Sequence, residues 1–118
     1  MSKRVLIVED NPDLGAVLTA FLALLSYESE LTQSITESIY LLEEGSLFDV
    51  LIVDYTLDDG KGVEIINWCK ERTDFKELRF VLISGYDKSH FSSSIMEDPA
   101  ITFLQKPFTM AKLKDSLG

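Results

Sequence analysis

Five side chains able to do chemistry sit at the ends of apolar runs in this chain. Glu9 and Asp10 follow Val5-Leu6-Ile7-Val8, and Asp54 follows Val50-Leu51-Ile52-Val53. Ser84 follows Phe80-Val81-Leu82-Ile83, and Lys106 comes just after Ile101-Thr102-Phe103-Leu104. Three carboxylates brought together raise one another's pKa unless a cation sits among them. Oxygen donors with no Cys or His beside them select Mg²⁺ or a similar hard cation, which keeps waters and takes one or two carboxylates plus phosphate oxygens. Lys106 offers a compact positive charge to a phosphoryl oxygen or to Asp54 itself. The Ser84 hydroxyl can bond a second oxygen, with Gly85 leaving room. Asp54 is then a candidate nucleophile that would form an aspartyl phosphate, chemistry that needs mainly alignment and charge neutralisation. Taken singly, an Asp at a strand end serves equally well to cap the next turn.

What makes the set more than five separate caps is the pattern of elements around it. Uninterrupted apolar runs such as Val5–Val8 and Val50–Val53 read as strands buried on both faces, as in parallel sheets covered by helices. Asn11-Pro12 opens a helix to about Leu25, with Leu14, Val17, Leu18, Phe21, Leu22 and Leu25 as its core face. Tyr27 to Thr32, carrying Glu28 and Glu30, suits an edge strand. Ser34-Ile35-Thr36-Glu37 is a capping box opening a second helix that ends at Gly45. Asp58-Asp59-Gly60-Lys61-Gly62 reads as a flexible acidic turn. The helix after it, about Val63 to Arg72, turns Val63, Ile66 and Cys69 inward, with Ile65 close by and Trp68 as packing. Leu78 to Ile83 is a further strand, and a weak, serine-containing helix runs from about Lys88 to Met96. His90 has no Cys or His at ligand spacing and reads as a surface residue. A last strand, Ile101 to Leu104, precedes a helix starting near Thr109 with Met110, Leu113 and Leu117 inward. Five strands alternating with five helices predict an α/β fold, a doubly wound parallel sheet with helices on both faces. The carboxyl ends of parallel strands share one edge, where ligands bind in such sheets, so Glu9, Asp10, Asp54, Ser84 and Lys106 converge.

Composition narrows the function classes. The 118 residues form one domain, 1–118, large enough for a core without staples. Twenty acidic against eleven basic residues give a net charge of −9, which argues against direct nucleic-acid binding and suits a protein that collects a divalent cation. It suits a solvated acidic surface equally. The single Cys69 excludes an internal disulfide and fits a reducing compartment. Only four apolar residues separate Lys3-Arg4 from Glu9, so no signal peptide is expected, and no run is long enough for membrane insertion. The expected location is cytoplasmic. One further feature stands out: no charge lies between Asp13 and Glu28, and Gly15, Ala16, Thr19, Ala20 and Ala23 make the outer face of the first helix small and neutral. That face either meets a partner or is a mildly apolar solvent face.

With these residues in place, the chain resembles a response-regulator receiver domain of two-component signalling along its whole length. The resemblance is carried by Val5-Leu6-Ile7-Val8-Glu9-Asp10-Asn11, Leu51-Ile52-Val53-Asp54, Leu82-Ile83-Ser84-Gly85-Tyr86 and Phe103-Leu104-Gln105-Lys106-Pro107-Phe108. It implies a flavodoxin-like sheet with strand order 2-1-3-4-5, an arrangement for which the chemotaxis member of this family is a standard example. It also implies a phosphoacceptor at Asp54, and a Mg²⁺ site from Glu9, Asp10, Asp54 and the Thr56 backbone carbonyl, with Asp10 the closer ligand. Ser84 would be the switch hydroxyl, Phe103 the aromatic switch and Lys106 the conserved-type lysine, with a cis bond before Pro107. The implied phosphodonor is a histidine kinase or histidine phosphotransfer domain, docking on the first helix around Ala16, Ala20 and Ala23. The fourth helix, last strand and last helix would form the output surface and a homodimer face. The chain would then be a regulator that assists its own phosphorylation and dephosphorylation, standing alone or as part of a longer regulator or hybrid kinase.

The sequence departs from the family in three places. Asp58 stands where proline is usual, implying a looser and more negative loop, and Phe103 lacks the hydroxyl of the commoner tyrosine. Glu97-Asp98-Pro99-Ala100 replaces a glycine-alanine turn. Thr56 and Tyr86 flank the path of an attacking water, where the bulk of Tyr86 would slow hydrolysis. Three competing readings are weaker. A phosphatase would want a carboxylate at Thr56, an unphosphorylated interaction module would lack one of the five polar residues, and flavin binding would need a hydroxyl- and glycine-rich first loop.

Overall fold

The computed structural model describes residues 3–118. Five strands, β1 (Arg4–Val8), β2 (Glu28–Thr32), β3 (Val50–Asp54), β6 (Arg79–Ser84) and β7 (Ile101–Gln105), form one sheet in the order β2-β1-β3-β6-β7. Every neighbouring pair is parallel. With the two-residue strands β4 (Thr56–Leu57) and β5 (Gly60–Lys61) set aside as a separate antiparallel ribbon, this is the expected 2-1-3-4-5 order. β2 takes the edge, where its two glutamates stay wet.

Alternation along the buried strands builds two cores, one on each face of the sheet. Leu6, Val8, Leu51, Val53, Phe80 and Leu82 meet Ile35 and Leu42 of α2 (Ile35–Glu43) and Ile65, Ile66 and Cys69 of α3 (Gly62–Lys70). Val5, Ile7, Val50, Ile52, Val81 and Ile83 meet Leu18 and Leu22 of α1 (Pro12–Leu24) and Leu113 and Leu117 of α5 (Met110–Leu117). All five residues of β3 are buried, and the four before Asp54 read as an unbroken apolar run. Among the described residues no helix is long and apolar enough to cross a membrane.

Several local expectations are corrected. The stripe of α1 that reaches the sheet is Gly15, Leu18 and Leu22, while Val17, expected inside, is 42% exposed and Leu24 is 72% exposed. Gly15 belongs to the inner face because the Leu31 side chain of β2 fills the space beside it. Val63 packs half-buried against the core as expected, whereas Met110 lies outside it, its place on α5 taken by Ser116. The acidic turn after Asp54 is not loose, since it is folded into the β4–β5 ribbon. The fourth helix is broken: a 3-10 turn, Lys88–His90, is followed by extended Phe91 and a single turn, α4 (Ser93–Met96).

Candidate functional site

Parallel pairing brings the polar residues to one edge. Asp54 lies opposite Ile83 in the β3–β6 register and Ser84 opposite Gln105 in β6–β7, so the residues that follow these strands emerge side by side. Glu9 leaves β1 one residue past Val8, which pairs with Val53, and its N–H donates to the Thr32 carbonyl at 2.9 Å. Lys106 leaves β7 with its N–H donating to the Ser84 carbonyl at 2.8 Å, and its bond to Pro107 is cis.

Asp54 is buried, yet both of its carboxylate oxygens are engaged. Oδ1 accepts from the Thr56 N–H at 3.0 Å, and Oδ2 takes the Lys106 ammonium at 2.5 Å. A charge-assisted contact of this kind compensates for withdrawing the carboxylate from water. Lys106 Nζ is also 3.9 Å from Glu9 Oε1, too far for a hydrogen bond. Ser84 is buried as well, and its Oγ accepts from the Tyr86 N–H at 2.9 Å, which leaves the hydroxyl hydrogen free to donate elsewhere.

Glu9 is the strained member. Its Oε2 accepts from the Asn11 N–H at 3.0 Å, whereas Oε1 is buried with no hydrogen-bond partner. Burial pushes its pKa up to about 8; the Asn11 N–H pulls the other way, the neighbouring Asp54 charge adds to the rise, and Lys106 moderates it. Asp10, half-exposed, is turned onto the loop opposite, accepting from the Asp58 N–H at 2.9 Å. The residue that replaces the family's usual proline therefore supplies a backbone donor to the site, something proline could not do.

These groups suit a hard cation of the Mg²⁺ type. An orphaned buried carboxylate oxygen points to a missing positive partner, and every nearby donor is oxygen. Among the described residues, no three His, Cys, Asp or Glu side chains are arranged to hold a metal by themselves.

The loop after Asp54 is tied down by its own acids. Asp59 accepts from the N–H groups of Ile35 and Thr36, each at 3.1 Å, and so caps α2. Glu64 bonds the Lys61 N–H at 2.7 Å, and Gly62 donates to the Tyr55 carbonyl at 2.6 Å. A Cβ on Gly62 would collide with the Asp54 carbonyl oxygen.

The remaining sequence-predicted residues fall in three places. Thr56 is exposed on the ribbon, paired with Lys61. Phe103 is half-buried on β7, against the Phe91 ring. Ala16, Ala20 and Ala23 lie exposed on α1, beside an open groove of about 440 Å³ lined by Leu14, Val17, Phe21, Lys106, Pro107 and Phe108. An aromatic cluster went unread in the sequence. Tyr86, half exposed, stacks on His90 with centroids 3.9 Å apart and planes 8° from parallel. Tyr55 meets Tyr86, His90 and Phe91 edge-on. The available signal was the Tyr directly after Asp54 together with three rings between positions 86 and 91.

A family model described as "Response regulator receiver domain" matches residues 5–118. The response regulator protein PilR of Pseudomonas aeruginosa is 24% identical over 113 residues, which are 96% of this chain and 25% of that protein. The hybrid signal transduction histidine kinase A of Dictyostelium discoideum is 26% identical over 119 residues, covering 98% of this chain and 6% of that protein. This chain thus spans a quarter or less of either relative. A solved CheY-like receiver domain from Methylobacillus flagellatus superposes with a TM-score of 0.86 at 23% identity, covering 100% of both chains.

Proposed function

The chain belongs to the response regulator receiver domain family, and from that premise we propose that Asp54 accepts a phosphoryl group from the phosphohistidine of a histidine kinase or histidine phosphotransfer domain. The transfer is Mg²⁺-dependent and switches an output surface. An Asp54 carboxylate oxygen attacks phosphorus, the nitrogen–phosphorus bond of the donor breaks, and the departing imidazole keeps the electron pair and takes up a proton. The observation that carries this reading is a buried Asp54 held between the Thr56 N–H at 3.0 Å and the Lys106 ammonium at 2.5 Å, on the same sheet edge as Ser84.

The Thr56 N–H fixes the carboxylate's direction. The Lys106 ammonium can pass from Oδ2 to a phosphoryl oxygen without leaving the site, and the free Ser84 hydroxyl hydrogen supplies a donor to another. Glu9, Asp10, Asp54 and the Thr56 carbonyl would hold the ion, and when bound Mg²⁺ neutralises charge on the phosphoryl oxygens. The chain is a regulator in this reading: it is itself the substrate, and its residues assist both gain and loss of the group.

Intact mass after incubation with Mg²⁺ and acetyl phosphate, beside an Asp54→Asn control, tests the reading. One labile phosphoryl adduct, absent in the variant and without metal, is the expected result. If the chain forms no adduct and binds no beryllofluoride, the site is an unphosphorylated interaction surface.

A further inference from the structure

Phe91 stands where the fourth helix breaks. The 3-10 turn Lys88–His90 ends at it, its backbone is extended (φ −102°, ψ 152°), and α4 resumes only at Ser93. No Pro or Gly lies between Lys88 and Met96 to force the break. Asp87 caps the 3-10 turn before it and Ser92 is the N-cap of α4 after it, and in this extended conformation the Phe91 ring lies against two others. It meets Tyr55 perpendicularly with centroids 4.8 Å apart, and Phe103 at 5.4 Å with planes 58° apart. Both are favourable aromatic geometries.

The two rings belong to opposite ends of the molecule's logic. Tyr55 directly follows Asp54 and is clamped through its backbone, its N–H on the Ile83 carbonyl at 2.7 Å and its carbonyl on the Gly62 N–H at 2.6 Å. Phe103 lines a groove of about 360 Å³ with Lys88, Lys112, Asp115 and Ser116, on the face made by the broken helix, β7 and α5. The stacked Tyr86 and His90 close around Tyr55, and the Tyr86 N–H bonds the Ser84 hydroxyl oxygen. Tyr55, Phe91 and Phe103 therefore make one continuous line of rings from the site to the groove. The segment they cross has only one 3-10 turn and one α turn of its own, so its conformation follows its side-chain anchor.

We propose that Phe91 is the coupling residue that carries a change at Asp54 to Phe103 and its groove, through the ring line Tyr55–Phe91–Phe103. The inference rests on the phosphoacceptor reading of Asp54. Adjacency alone does not establish coupling; a shared two-state element does, so the experiment must read the response at the far end separately from the event at the near end.

Amide spectra of the ¹⁵N-labelled chain, with Mg²⁺ and with or without beryllofluoride, read both ends at once. In the wild type, shifts are expected near Tyr55, Ser84 and Lys106 and also at Phe103 and along α5. Phe91→Ala and Phe91→Leu, the second keeping apolar bulk without a ring, should keep the near shifts. Their far shifts should shrink by about two- to tenfold, the range that loss of one aromatic pair allows. Phe91→Tyr, which restores the ring, should recover them. If both ringless variants are folded and keep full far shifts, Phe91 does not couple. Should the wild type itself take no beryllofluoride, the phosphoacceptor reading fails and takes this inference with it.

Discussion

Two single residues show backbone geometry opposing side chain, each with a measurable consequence. Ser26 is the non-glycine residue with φ in the left-handed region among those described, at +69°. It ends α1 in a Schellman arrangement, its own N–H on the Ala23 carbonyl at 3.1 Å and the Tyr27 N–H on the Leu22 carbonyl at 2.9 Å. That position ordinarily falls to glycine, since a Cβ there costs about 1–2 kcal/mol. Glycine's extra freedom in the unfolded chain returns roughly 0.5–1 kcal/mol of that. Ser26→Gly should therefore stabilise the fold by up to about 1.5 kcal/mol, seen as a raised urea midpoint at unchanged slope; a lowered midpoint would show that the serine contributes something the geometry does not reveal. Gly62 is the reverse case. Its φ is open to any residue, but a Cβ would strike the Asp54 carbonyl and come within 3.0 Å of Val53 Cγ2. Neither neighbour can yield without moving β3, so Gly62→Ala should cost about 1–3 kcal/mol in urea unfolding. Because the strand that moves carries Asp54, acetyl phosphate labelling should slow as well, and a variant with wild-type stability and labelling would refute the contact.

At the level of elements, legibility followed burial. β1, β3 and β6 could be read from apolar runs because both faces of each strand are covered, and the edge position of β2 showed in its glutamates. On α1, Leu18 and Leu22 lie in the core and Leu14, Phe21 and Leu25 pack against it as expected, while Val17 and Gly15 exchange sides because apolar periodicity cannot say which of two adjacent rows meets the sheet. The choice fell to Gly15, where a missing side chain lets Leu31 of the next strand in. The break at Phe91 falls between the Asp87-capped 3-10 turn and the Ser92 N-cap of α4, and there the Phe91 ring meets Tyr55 and Phe103, which are distant in sequence. The Asp58-Asp59-Gly60 stretch reads in sequence as a flexible acidic turn. Yet Asp59 reaches 24 positions back to cap α2. Some burial opposes its charge, but the Ile35 and Thr36 N–H groups and the Thr36 hydroxyl prevail and hold its pKa below the ordinary 3.8. A folded-state pKa below the unfolded one means stability that is whole well above 3.8 and drains away as pH falls through 3.8 toward the lower folded value. Asp59→Ala should thus lose about 0.5–2 kcal/mol at neutral pH, the range of a lost N-cap. The gap from wild type should narrow in urea titrations near pH 3. A gap independent of pH would mean the carboxylate charge is not what caps the helix.

Over the whole molecule, the convergence of Glu9, Asp54, Ser84 and Lys106 was legible once parallel topology was granted, because strand ends on one edge need no side-chain knowledge to be placed together. What the sequence could not carry was how those groups bond, such as the turn of Asp10 onto the Asp58 N–H and the orphaned Glu9 oxygen. The charge distribution adds a constraint at this scale. A chain of net charge −9 leaves the exposed side of α1, between Asp13 and Glu28, without a single charge. That neutral face adjoins the groove of Leu14, Val17, Phe21, Pro107 and Phe108, and Lys106, which holds Asp54, is part of the groove's wall. A donor domain seated there would reach the phosphoacceptor without crossing the acidic surface, as the proposed phosphohistidine transfer requires. Ala20→Glu places a charge on that face at an exposed position, where substitutions ordinarily change stability by within about 0.5 kcal/mol. Labelling by acetyl phosphate, which needs no docking, should be unchanged. Transfer from a phosphorylated histidine phosphotransfer domain should fall by about tenfold or more in kcat/KM, equivalent to about 1.4 kcal/mol of lost association. Equal loss with both donors would place the damage in the site itself, and no loss with either would move the docking surface off α1.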